Sequence, residues 1–242
     1  MRIQLILNGS RERYAGGADT ARLDVWSTYC SPGTHLELGY LPGEQESGGI
    51  SREYAFGQGD AVRNHALLYP EACARAANEG YDAVIMHCCS DPGLYEARRR
   101  APIPVIGPGE ATLRAGVVVG RSIGMTVPSD AAVAHHWRQV REVGVAEHVV
   151  GLEPINRPIG DYARQDASAM TDALVAAARR LVERGADVIC PSGLAFIPVR
   201  VSAREASKRL GVPVLDPALI AVRTAEMLVS SLPVKTTPEP RT

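Results

Sequence analysis

Short β-branched runs alternate along the chain with Ala-, Arg- and Glu-rich stretches of helical period, the order expected of an α/β fold built on mainly parallel strands. The apolar runs predict strands at 3–7, 23–29, 83–87, 105–106, 122–126, 148–151, 188–190 and 214–215. The periodic stretches predict helices over about 60–79, 110–116, 129–143, 167–184, 201–210 and 217–231. Between them, residues 31–59 are rich in Gly, Pro, Ser and Glu. A connection that long in a compact domain usually carries function, so this one is expected to close over a cleft and set specificity. Residues 233–242 hold three prolines and no apolar period, and read as a frayed tail.

The pattern also repeats. Gly80-Tyr81-Asp82-Ala83-Val84-Ile85 is echoed by Gly185-Ala186-Asp187-Val188-Ile189, and Pro104-Val105-Ile106-Gly107-Pro108 by Pro213-Val214-Leu215-Asp216-Pro217. Pro104 lies 24 residues beyond Gly80 and Pro213 lies 28 beyond Gly185, and an Ala-rich helix follows each. Either half of the match could arise from the ordinary way a helix joins a buried strand. Both halves recurring in order point to duplication. The expected fold is two Rossmann-like α/β lobes with mainly parallel sheets, related by a pseudo-twofold. A central cleft is expected where the strand carboxyl ends meet, the usual place for ligands in α/β folds. The lobes divide as 1–100 plus 208–242, and 101–207.

Composition narrows the function classes. A chain of 242 residues can bury a substantial core in either one large domain or two lobes of about 100 residues. The formal charge of −1 offers no basic field for a phosphate backbone, and aromatics are scarce, so no nucleic-acid partner is expected. No window approaches 18 uninterrupted apolar residues and the start lacks a signal-peptide pattern, so no membrane is expected either. The five cysteines follow no metal-type or secreted-scaffold spacing, which fits free thiols in a reducing cytosol. The six histidines show no ligand spacing, so no metal site is expected. Gly107-Pro108-Gly109 lacks the third glycine of a dinucleotide fingerprint, and Glu110 would repel a phosphate. No cofactor is expected.

The first echo ends in His87-Cys88-Cys89-Ser90-Asp91-Pro92-Gly93-Leu94. A thiol at a strand end, ahead of a turn and a helix, meets backbone N–H groups that favour the thiolate. Such a thiol can take a proton from carbon and return it, while the same N–H groups hold a carboxylate or enolate oxygen. Adjacent strand side chains point to opposite faces. If Cys88 faces the cleft, Cys89 packs inward and His87 points away.

Cys88-x-Ser90-Asp91-Pro92-Gly93-Leu94 after a buried strand resembles the first cysteine motif of hydantoin and allantoin racemases. Their superfamily includes aspartate and glutamate racemases, maleate cis–trans isomerases and arylmalonate decarboxylases. Three further segments resemble the family in order: Pro104–Gly107 with Gly109-Glu110-Ala111, Ser122-Ile123-Gly124-Met125-Thr126, and Gly211–Asp216. The resemblance implies that Asn8 and Ser10, in a shortened first-strand turn, and Thr126 touch substrate. Ordinary turn chemistry explains Asn8 and Ser10 equally well. Ser129 is expected to cap the helix it precedes. The family carries a thiol in each lobe. Cys88 lies 8 residues past Gly80, and the residue 8 past Gly185 is Gly193, so the second thiol is replaced. Cys190 lies three residues earlier and reads as a buried apolar thiol unless Pro191 turns it into the cleft.

The resemblance therefore implies a cofactor-independent racemase- or isomerase-type enzyme with Cys88 as acid or base. The candidate substrate-contacting set is Asn8, Ser10, Cys89, Ser90, Asp91, Thr126, Ser129, Ser192 and Gly193. The substrate is a small carboxylate, hydantoin or malonate-like molecule, and the family favours a homo-oligomer. A lone thiol also suits a decarboxylase that protonates an enolate from one face, or a cis–trans isomerase in which Cys88 adds covalently. A non-catalytic relic that binds small carboxylates is the rival from another class.

Overall fold

The two echoed glycines do the same work. Gly80 follows helix α2 (Gly59–Asn78) at φ 83°, and Gly185 follows α6 (Ala167–Glu183) at φ 95°, a left-handed conformation that glycine adopts without a Cβ clash. After each glycine the chain bonds back to its helix, Tyr81 N–H to Ala76 and Ala186 N–H to Leu181. The aspartate that follows anchors a neighbouring strand. Asp82 donates its N–H to the Arg2 carbonyl at 2.7 Å and accepts the Arg2 N–H at 2.8 Å, fixing the start of β1 (Arg2–Leu7). Asp187 donates to the Ser122 carbonyl at 2.9 Å and accepts the N–H groups of Arg121 and Ser122 at 3.0 Å, fixing β5 (Ile123–Val127). Duplicated sequence thus returns as duplicated hydrogen bonds.

The computed structural model of the chain describes residues 1–14, 17–42, 59–156, 166–194 and 197–232. Two parallel sheets result. The first joins β1 with β2 (His35–Tyr40), β3 (Ala83–His87) and β4 (Val105–Ile106) in the order β2-β1-β3-β4. The second joins β5 with β6 (Val149–Pro154) and β7 (Val188–Pro191) in the order β6-β5-β7. Val214 bridges β7 at Ile189, in parallel, where the first sheet has β4. The expected α/β architecture of paired parallel sheets is therefore present. The chain does not divide cleanly at residue 101, because β4 pairs with β3 in the first sheet.

The lobes are tied by two exchanged helices. Helix α8 (Pro217–Ser231) packs Ala218, Ala221, Val222 and Ala225 in the cluster of Ile3, Leu5 and Ile85 from the first sheet. Helix α4 (Pro108–Val119) packs Leu113 in the cluster of Ile123, Met125 and Val188 from the second. The first lobe also holds α1 (Ala18–Ser27) and α3 (Leu94–Arg100). The second holds α5 (Asp130–Val143) and α7 (Ala203–Leu210).

Two sequence expectations fail here. Residues 23–29 are not a strand, and α1 covers 23–27. Parallel neighbours β1 and β2 cannot be joined by a hairpin and need a crossover, and 18–27 supplies it with Leu23 and Trp26 one turn apart on the packed side. Correspondingly, 31–59 is not all loop. His35–Tyr40 forms the edge strand β2, whose Leu36, Leu38 and Tyr40 alternate onto one covered face inside a segment otherwise rich in Gly, Pro, Ser and Glu. Residues 43–58 of that segment and the tail 233–242 lie outside the described residues. Among the described residues no helix is long and apolar enough to cross a membrane.

Candidate active site

The turn after β3 is wound tightly. Cys88 donates its N–H to the Met86 carbonyl at 2.8 Å, and Asp91 donates to the Cys88 carbonyl at 3.0 Å. Asp91 is left-handed at φ 47°, uncommon outside glycine but tolerated by Asp. Its carboxylate caps a helix in the partner layer, accepting the N–H of Gly109 at 3.1 Å and of Glu110 at 2.6 Å at the start of α4. The Gly-Pro-Gly at 107–109 makes this approach possible. A Cβ at Gly109 would lie 2.0 Å from the Cys89 carbonyl oxygen, and one at Gly107 would lie 2.6 Å from the Asp91 carboxyl carbon. Those glycines serve the cysteine turn. Glu110 pairs with Arg98 at 2.7 Å and Arg114 at 2.9 Å, so structure accounts for its charge.

The thiols divide by strand alternation, but in the sense opposite to that expected: Cys88 packs under α2 and Cys89 faces the second lobe. Cys88 falls in the apolar cluster with Ile6, Met86, Leu68 and Tyr69, whereas Cys89 falls in the opposite cluster with Ile85 and Leu194. Cys88 is 6 % exposed, deeper than the accessible thiol expected, because α2 covers that face of β3. Cys89 meets the other lobe: the backbone N–H groups of Gly193 and Leu194 point to its sulfur. Burial nonetheless pushes the Cys89 thiol well up, with the charges of Asp91 and Cys88 adding to the effect. Cys190 does not turn into the cleft. Its sulfur donates to the Thr112 carbonyl of α4 at 3.6 Å and burial pushes it up to about 12.

A line of buried polar groups joins the two lobes. Ser192 Oγ, just past β7, lies 3.0 Å from His136 Nε2, and His136 Nδ1 lies 2.8 Å from Gln139 Oε1. Gln139 Nε2 then donates to the Cys89 carbonyl at 2.7 Å and to the Asp91 carboxylate at 2.8 Å. The donors fix the rest. With both Gln139 N–H groups directed at acceptors, its oxygen must accept, so His136 carries its proton on Nδ1 and leaves Nε2 to accept from the Ser192 hydroxyl. Burial holds the His136 imidazole down at about 4. Burial also pushes Asp91 up to about 7, against the N–H groups of Glu110, Gly109 and Gln139 that draw it down.

His136 and Gln139 escaped the sequence reading. Their signal was present: both fall on the buried stripe of α5 with Ala132, Val140 and Val143, where polar residues need a reason.

The remaining candidates are placed as follows. Asn8 accepts the Tyr14 hydroxyl at 2.7 Å, and Ser10 sits half-buried beyond β1. Ser90 is half-buried at the mouth of a recess shared with Tyr95, Glu110 and Glu142. Thr126 is fully buried and its hydroxyl has no partner among the described residues, while its carbonyl accepts the Ser192 N–H at 2.8 Å. Ser129 does not cap α5 with its side chain; the Asn156 amide oxygen takes the Asp130 N–H at 3.1 Å instead. The structure thus brings together Cys89, Asp91, Ser192 and Gly193, with Thr126 adjoining. Among the described residues no group of three His, Cys, Asp or Glu side chains is arranged to hold a metal ion.

These burials make stability pH-dependent. His136 titrates near 6.5 when unfolded and about 4 when folded, so its contribution is complete above 6.5 and is lost as pH falls toward 4. His87, held at about 3 by burial and the Arg22 charge, acts in the same direction. Asp91 acts oppositely: raised to about 7, its contribution is present below about 4 and fades as pH rises. His136→Gln isolates one of the three. The wild type's stability margin over this variant, from urea melts, is expected to shrink by about 2 kcal/mol between pH 7 and pH 4.5. An unchanged margin would contradict the buried neutral imidazole.

Comparison with known proteins agrees with this architecture. The Asp/Glu/hydantoin racemase family model matches residues 55–225. A hydantoin racemase from Rhizobium meliloti is 30 % identical over 168 residues, spanning 63 % of this chain and 62 % of that protein. One from Paenarthrobacter aurescens is 28 % identical over 152 residues, spanning 62 % of each. The matches thus cover less than two thirds of those relatives' length. An allantoin racemase structure from Klebsiella pneumoniae superposes at a TM-score of 0.81 with 20 % identity, covering 95 % of this chain and 88 % of that one. With more than half its length matched by the family model, this chain belongs to the Asp/Glu/hydantoin racemase family.

Proposed function

We propose that this protein moves a proton at a carbon next to a carboxylate or amide carbonyl, without an organic cofactor or metal, with Cys88 as the acid–base group. The observation that carries the reading is the meeting of two strand-end turns at Cys89, whose sulfur faces the Gly193 and Leu194 N–H groups of the other lobe, with Cys88 the preceding residue of the same turn. A reacting carbon held there would have a thiol and several backbone N–H groups within reach. The N–H groups stabilise the enolate oxygen as charge develops, and exclusion of bulk water strengthens that interaction. Asn8, Ser10, Ser90, Thr126, Ser129 and Gly193 are proposed to orient the substrate, with Thr126 the best supported because its hydroxyl has no partner among the described residues. The two lobes form the two walls of that site.

The substrate class follows the relatives: hydantoins first, small carboxylates second. The absence of a disulfide among the described residues suits a reducing cytosol, and family likeness suits a homo-oligomer. A one-thiol decarboxylase or cis–trans isomerase is the second reading. It is favoured by one observation, that Gly193 stands where a second thiol is expected while Cys190 turns to α4.

Heavy water separates these readings. Single enantiomers of 5-isopropylhydantoin incubated with the protein in D2O should gain deuterium at the ring carbon and lose optical purity. Release of carbon dioxide from an arylmalonate, with no wash-in, would transfer the assignment to the decarboxylase. Neither reaction, across hydantoins, malonates, maleate and acidic amino acids, would leave a binding protein.

A further inference from the structure

The buried line that starts at Ser192 has the form of a driven hydroxyl. Nδ1 of His136 is committed as a donor to Gln139, so the Nε2 lone pair faces the Ser192 O–H at 3.0 Å. That is the arrangement by which an imidazole activates a hydroxyl, with a third group fixing its tautomer. Ser192 and His136 are 2 % and 1 % exposed, and three uncharged polar side chains in one buried line are costly to bury and restrict the line to a single arrangement. Its position is equally telling. Ser192 follows β7, the second-lobe strand that echoes β3, and adjoins Gly193, whose N–H points at Cys89, the residue after Cys88.

Inverting a stereocentre requires one group to remove a proton from one face and another to deliver one to the opposite face. Resting on the proton-transfer reading above, we infer that Ser192, driven by His136, is the second acid–base group and serves the face opposite Cys88. In one direction the C–H bond breaks as Ser192 Oγ takes its proton. The hydroxyl's own proton passes to His136 Nε2, and the C–H electron pair is left on the enolate oxygen. Cys88 then protonates the carbon from the other face. In the reverse direction His136 returns its proton through Ser192 to carbon. The missing second thiol is thus replaced by a hydroxyl with an attached base. His136 and Gln139 act as positioning residues.

The test follows each enantiomer of 5-isopropylhydantoin in D2O with the wild type, Ser192→Ala, Ser192→Cys and His136→Gln, all checked by thermal melts. Ser192→Ala is expected to lower interconversion at least about 100-fold. It should abolish deuterium wash-in from the enantiomer whose proton faces Ser192, while wash-in without inversion persists from the other. Ser192→Cys should restore inversion, and His136→Gln should reduce it on the same face. Equal losses from both enantiomers, or none, overturn the proposal and leave the underlying reading in place. No wash-in by the wild type overturns both. Independently of turnover, 15N NMR of the wild type should show His136 protonated on Nδ1, and the opposite tautomer would overturn the relay.

Discussion

Replacing Cys88 by Ser is expected to slow deuterium wash-in at the hydantoin carbon by roughly 10²–10⁴-fold, with the melting temperature moved by only a few degrees. The substitution keeps the shape of the side chain and removes its acidity. A thiol is intrinsically far more acidic than a hydroxyl, so it can give and take a proton unaided. A hydroxyl does so only with a base attached, and the His136 imidazole is committed to Ser192 instead. Because Cys88 sits among apolar side chains, the change in packing is small and the loss should fall on turnover. If the Ser variant turns over normally, the thiol assignment is wrong.

The largest structural effect is expected from Gln139→Leu. This one side chain satisfies the Cys89 carbonyl, the Asp91 carboxylate and the Nδ1 proton of His136. Leucine fills similar space and satisfies none of them. Leaving a buried polar group unpaired costs about 1–3 kcal/mol, so the variant should lose roughly 4 kcal/mol and melt on the order of 10 °C lower. Wash-in should fall with it, since the Cys88 turn loses its tie to α5 and His136 loses its fixed tautomer. Differential scanning calorimetry checks the first claim. A melting temperature within about 2 °C of the wild type would show that the relay is not held as described.

How much was visible in the sequence follows from the range of the interactions. The echo at Gly80 and Gly185 was readable because each unit is local: a helix end, a left-handed glycine, an aspartate and a buried strand. The Cys88 motif was readable for the same reason. Strand β2 was not, although Leu36, Leu38 and Tyr40 alternate with His35, Glu37 and Gly39, because the Gly-, Pro- and Ser-rich residues around it draw the whole segment into a loop reading. Nor was α1, whose Leu23–Tyr29 window holds enough β-branched and aromatic residues to pass for a strand until β1 and β2 are known to be parallel neighbours. The exposure of Cys88 could not be judged either, since α2 comes to cover it only through the tertiary fold. The relay was the least accessible. Ser192, His136, Gln139 and Cys89 are separated by up to about 100 residues, and only the docking of the lobes brings them into line. Asp91 belongs to the motif that the family resemblance links to substrate contact. Its carboxylate is taken up by the start of α4 and by Gln139, so its main work is to hold the thiol turn in place.

Alkylation by iodoacetamide, followed residue by residue by peptide mass spectrometry alongside deuterium wash-in, bears most directly on the role of Cys88. Cys88 should be modified before Cys73, Cys89 and Cys190, activity should disappear in step with that modification, and saturating 5-isopropylhydantoin should slow both. Full modification of Cys88 with wash-in undiminished would contradict the account.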